Sequence, residues 1–158
     1  MKKSNFLIKL KKQGKLELVS PSDDVCNSYV KKAEDSLKSA RVLLQNNLYE
    51  NSVSMSYYTM YHSLTALLFK VGIKCENHSG SIILFKKLFG RMDLYKTIRF
   101  AKKERVDKQY YVDFILTKES AIDLIKKAED FLVKIKLTIK NIRNEDISKS
   151  RERLRDIL

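Results

Sequence analysis

The sequence predicts an all-α fold, an antiparallel up-and-down bundle of four to five helices. Three observations lead there. Apolar residues recur at steps of three and four over long stretches, only four Gly and one Pro interrupt 158 residues, and no stretch alternates long enough to make a convincing strand. With 44% hydrophobic residues the chain can bury one core, and its length leaves no room for a separate cofactor domain. The expected organisation is a basic N-terminal arm (1–20), a helical bundle (21–143) and a charged C-terminal tail (144–158).

Residues 1–20 hold only brief alternation, Lys15-Leu16-Glu17-Leu18-Val19, and read as a mobile or docked arm. Ser20-Pro21-Ser22-Asp23-Asp24 opens the first long helix, with hydroxyls to cap it, Pro for a first-turn position, and acids to favour its positive end. That helix runs to about Asn47, with Val25, Tyr29, Ala33, Leu37, Ala40 and Leu44 along one stripe. The next, about 50–71, is apolar all round (Val53, Met55, Tyr57, Tyr58, Met60, Tyr61, Leu64, Leu67), which marks a central helix or an interface. Gly72 suits a left-handed helix end, and Ile73 to Asn77 link to a helix over about His78 to Leu88, closed by Gly90. Met92 to Tyr110 keeps Leu94, Ile98 and Ala101 in phase while gathering Lys96, Arg99, Lys102, Lys103, Arg105 and Lys108. Thr117-Lys118-Glu119-Ser120 caps the clearest helix, whose seam runs Ala121, Ile125, Ala128, Leu132, Ile135, Ile139, Ile142. From Asn144 the chain is charged, either a short helix or a frayed end.

The formal charge is +13, and it is local: residues 1–19 carry +5 and residues 74–110 carry +6, while 20–73 balance. Such segments form a face for phosphates with salt-dependent binding, or else they only keep a lysine-rich protein soluble. Cys26 and Cys75 stand too far apart for a paired-thiol zinc motif and are too few for a disulfide framework, so a reducing compartment is expected. No stretch approaches the roughly 18 to 20 apolar residues of a membrane span, and no signal-peptide core develops; the expected location is the cytoplasm.

Phosphate loop, dinucleotide fingerprint, nucleophile elbow and His-Glu-x-x-His are all missing. His62 and His78 are the only imidazoles, with no acidic cluster beside them, so neither a metal nor a cofactor is expected. His62, in the most apolar helix, reads first as a core or interface residue. His78 either joins Asn77 and Ser79 in capping a helix or has a functional role. Tyr57, Tyr58 and Tyr61 read as core or dimer packing, with base stacking as the alternative.

The run Ser56-Tyr57-Tyr58-Thr59-Met60-Tyr61-His62-Ser63-Leu64-Thr65-Ala66-Leu67-Leu68, then Gly72-Ile73-Lys74 and His78-Ser79-Gly80, resembles the Y-Y-A-x-F-H-A…G-I…H-x-G pattern of HEPN-domain proteins. Ala33 to Ala40 and Ala121…Ala128-Glu129-Asp130-Phe131-Leu132 occupy the places of two further family stretches, so the resemblance covers roughly residues 25–137. It implies a helical homodimer that binds nucleotide or RNA, with a minimal nucleotidyltransferase as partner in a toxin–antitoxin-type module. Many relatives are metal-independent RNases with an R-x4-6-H motif; here Arg105 is followed by Tyr110 where the His would stand. The catalytic pair therefore does not carry over, and binding through Arg105, Lys102, Lys103, Lys108, Tyr110 and His78 is expected ahead of cleavage. The alternatives are an RNase that uses His78 or His62 with Arg105 on the phosphate, and an interaction scaffold without nucleic acid.

Overall fold

A computed structural model describes residues 4–110 and 116–158, the side chains of 107–110 excepted. The order is α1 (Asn5–Lys12), β1 (Leu16–Leu18), α2 (Asp23–Gln45), α3 (Tyr49–Lys70), β2 (Ile73–Cys75), α4 (His78–Phe89), α5 (Met92–Tyr110), α6 (Lys118–Asn141) and α7 (Asn144–Ile157). The all-α class stands, with more pieces than the sequence suggests.

The long helices begin where capping chemistry is available. Ser22 Oγ accepts from Val25 N at 3.2 Å, and Thr117 Oγ1 accepts from Ser120 N at 3.1 Å. Pro21 precedes the cap and does not occupy the first turn as the sequence suggests. The α2–α3 turn passes through Asn47 at φ 60, a conformation Asn tolerates better than most residues. Between α2 and α3 small residues let the backbones approach. Ala33, Ala40, Ser52 and Ser56 are all fully buried there, and Ser52 Oγ donates to the Ala40 carbonyl at 2.8 Å.

α3 lies at the centre. α2, α6, α5, β2 and α4 surround it, which accounts for its apolar circumference within one chain. Its all-round apolarity therefore does not by itself require a second copy. On α6 the predicted seam is buried from Ala121 through Ala128 to Ile135, and beyond that point Ile139 and Ile142 are only partly covered.

One piece differs from the sequence reading, and two take one of its alternatives, a docked N-terminal arm and a C-terminal helix. The Lys15–Val19 stretch and the Ile73–Asn77 link contain the two strands of an antiparallel pair, with Leu16 opposite Cys75 and Leu18 opposite Ile73. Neither strand is stable alone; they persist because Leu16 and Ile73 are buried against the bundle. α1 buries Leu7 and Leu10 on the same core, and α7 buries Ser150, Leu154 and Ile157.

Arg151 on α7 clamps this end of the molecule. Its Nη1 donates to the carbonyls of Val19 at 2.7 Å, Gly72 at 2.8 Å and Val71 at 3.4 Å. Gly72 has φ +73, and a Cβ there would run into the Val19 carbonyl and the Arg151 guanidinium. No helix among the described residues is long and apolar enough to cross a membrane.

Candidate functional site

α4 starts at the edge of α3. Asn77 is its N-cap and accepts from Gly80 N at 2.8 Å, which places His78 and Ser79 in the first turn. Gly80 is required by packing, because a Cβ would press on Leu10 of α1 and the Cys75 sulfur. His78 thus lands on the tyrosines of α3. Its ring stacks on Tyr61 at 3.8 Å between centroids and 7° between planes, and its Nδ1 lies 2.7 Å from the Tyr57 hydroxyl.

Tyr57 is fully buried, and this settles the direction of that bond. Burial raises the pKa of its phenol, so it keeps its proton, and among the described residues no other acceptor for that proton is found. Were His78 to donate, the phenolic O–H would be orphaned in the core at a cost of about 1–3 kcal/mol. Tyr57 therefore donates to Nδ1, and the hydrogen of neutral His78 sits on Nε2. Burial first, then Arg105 and Lys102, holds His78 down to a pKa of about 4. At neutral pH it is an uncharged N–H donor.

α5 brings the cations. Lys102 and Arg105 are three residues apart and share a helix face. Arg105 Nη1 donates to the Tyr58 hydroxyl at 3.2 Å, and the guanidinium lies 4.9 Å from the Tyr57 ring centre and 5.4 Å from that of Tyr58. Its Nε is buried without a hydrogen-bond partner among the described residues. Lys102 Nζ donates to Ser79 Oγ at 2.5 Å; burial and then Arg105 push its pKa down. Among the described residues neither cation pairs with a carboxylate.

Of the residues singled out from sequence, His78, Tyr57, Tyr58, Tyr61, Arg105 and Lys102 come together. His62 lies on the other side of Tyr58, 5.7 Å between ring centres, with its Nδ1 buried and unpartnered; burial and then Lys32 lower its pKa. Lys103 is exposed on the rim of a neighbouring groove. The side chains of Lys108 and Tyr110 lie outside the described residues. Ser79 and Tyr95 were not foreseen as site residues: Ser79 receives Lys102, and Tyr95 lies under the Arg99 guanidinium at 5.5 Å.

Two grooves flank α4. One, of about 550 Å³, separates α4 from α5 and shares Ser79 and Lys102 with the cluster. The other, of about 700 Å³, lies at the far end of α4 against α6 and α7, bounded by Arg91, Lys134 and Arg153. There, Arg91 pairs with Asp93 at 3.1 Å, Lys134 with Asp130 at 2.9 Å, and Arg153 donates to the Leu88 carbonyl. No group of three or more His, Cys, Asp or Glu among the described residues is placed to hold a metal ion.

The HEPN domain model matches residues 27–138, most of the chain. The chain belongs to the HEPN family. Among its relatives is the protein named "Putative toxin MJ0605" of Methanocaldococcus jannaschii, 30% identical over 121 residues, 70% of this chain and 85% of that protein. A second protein of that organism, "Putative toxin MJ0142", is 33% identical over 72% of this chain and 82% of its own length. A UPF0332 protein of Thermotoga maritima is 24% identical over 79% of this chain and 98% of its length. In this HEPN domain the matched span covers α3, α4 and α5, the three helices that build the cluster.

Proposed function

We propose that this HEPN domain binds the phosphate groups of a nucleotide or RNA at the Lys102–Arg105–His78 cluster, and that it acts as a toxin-like homodimer. The observation that carries the binding is that, among the described residues, no carboxylate pairs with Lys102 or Arg105. Two crowded, partly desolvated cations so placed repel one another, and an anion relieves that repulsion. His78 and Ser79 add neutral donors beside them. The toxin-like part draws on the names of the two Methanocaldococcus relatives. The homodimer and a nucleotidyltransferase partner follow from the family resemblance.

Salt titration of single-stranded RNA binding tests the reading. Wild-type affinity should fall steeply with salt, and the Lys102→Ala, Arg105→Ala double variant should lose about 1.4 from the log–log slope, about 0.7 per phosphate contact. No binding at low salt, or an unchanged slope, would sink it. Light scattering should return twice the 18.5 kDa chain mass.

A second reading, a metal-independent RNase, is favoured by one observation: His78 and Arg105, 27 positions apart, both lie against Tyr57. The protonation state opposes it, since a neutral imidazole whose Nδ1 is occupied and whose Nε2 bears hydrogen has no free lone pair for a general base. We expect purified protein without added metal to leave a mixed RNA pool intact. Cleavage abolished by His78→Ala, with fold and dimer retained, would establish the second reading.

A further inference from the structure

We propose that the α4–α5 groove holds an unpaired nucleobase next to the phosphate cluster, so that the ligand is a single strand. This rests on the phosphate reading above. The groove's volume, about 550 Å³, lies within the roughly 300–1,000 Å³ usual for small-molecule sites. Its lining divides into two chemistries. Ile82, Ile83 and Val106 are apolar, and Ile82 is nearly fully buried. Around them stand the Tyr95 ring and the cations Arg99, Lys102 and Lys103, and no carboxylate among the described residues lines the groove.

A bare polyanion would use the cations and leave the apolar residues idle. A duplex would present phosphates with its bases stacked inside, and they would not reach the groove either. An unpaired nucleotide uses both parts: its flat base covers Ile83 and Val106 beside Tyr95, while its phosphates meet the surrounding cations. Lys102 belongs to the groove and to the cluster, so one phosphate at Lys102 places the adjoining base at the groove's mouth. Arg99 is exposed and already rests on the Tyr95 ring, 5.5 Å from its centre, so its guanidinium can also stack on a base.

The test compares three labelled probes by fluorescence anisotropy: octaadenylate, an abasic strand with the same number of phosphates, and a duplex of equal length. Wild-type protein should prefer octaadenylate to the abasic strand by about 5- to 100-fold, the range of one base stacked on an aromatic ring. Tyr95→Leu and Ile83→Gln should each lose most of that preference while binding the abasic strand as wild type does, which also shows that they fold. Equal wild-type affinity for the two single strands, stronger binding of the duplex, or a preference that survives in both variants would overturn the base site and leave the phosphate reading standing. If none of the probes binds at low salt, both readings fall together.

Discussion

The two ends of α4 carry similar positive charge and differ in what surrounds it. At the far end Arg91 and Lys134 face Asp93 and Asp130 within ion-pair distance, and Arg153 is occupied by a helix-terminal carbonyl. At the near end Lys102 and Arg105 contact a hydroxyl each and no carboxylate among the described residues. Charge counted along the chain does not separate the two. What distinguishes the proposed phosphate site is cations held close without a carboxylate partner among the described residues, where burial and mutual repulsion would raise the benefit of a bound phosphate. The far groove is the larger of the two, so size alone does not pick out the groove proposed to bind.

The sharpest way to break this comparison keeps the change in net charge equal at both ends. Lys102→Ala with Arg105→Ala should weaken single-stranded RNA binding at low salt by about tenfold or more, whereas Arg91→Ala with Lys134→Ala should stay within about threefold. Equal losses would mean that overall charge, and not the local cluster, attracts the ligand.

Tyr57→Phe sharpens it at the level of one proton. The variant removes the donor to His78 Nδ1, which should cost about 1 kcal/mol of stability. Nitrogen NMR of the wild type should show hydrogen on Nε2 of His78, and the variant should move its titration upward from about 4. A wild-type Nδ1–H signal would refute the assigned direction of the bond.

The smallest effect concerns pH. His78 titrates at about 4 when folded against 6.5 ordinarily, so across that window the unfolded chain binds a proton the folded chain does not. Stability should therefore rise with pH between about 4 and 6.5 and be lost as pH falls; His62, also held low, acts in the same direction. Because both rings are partly in water the slope is modest, and urea midpoints at pH 4.5 and 6.5 would read it. His78→Gln should flatten the slope, and an unaltered one would assign it to other groups.

Much of the bundle was legible because local rules and tertiary packing agree there. The steps of three and four on α2 and α6 coincide with their buried faces, and Ser22, Thr117 and Gly90 act as punctuation. The strands were not legible because β1 finds its partner more than fifty residues away, and three residues of alternation mean little until Leu16 meets Cys75. α7 has only Ile147, Leu154 and Ile157 as large apolar residues among its charges, too few to betray a docked face. At the candidate site, the sequence offered the residue types but not their meeting: Tyr58 and Arg105 are 47 positions apart, and Tyr57 and His78 are 21. Tyr95 carried no signal, since an isolated tyrosine in a basic helix has nothing to set it apart.

The reach of Arg151 has a bearing on the order of assembly during synthesis. Its guanidinium holds the carbonyl of Val19, made 132 residues earlier. At about 5–20 residues per second, translation leaves that carbonyl unclamped for about 7 to 26 s. The α2–α3 hairpin, whose contacts are close in sequence, has time to form and dissolve many times within that interval. The α2–α3 hairpin is thus an early product and the arginine clamp a late one, so a nascent chain stopped short of Arg151 would hold that hairpin beside a Val19 carbonyl not yet fastened by the guanidinium.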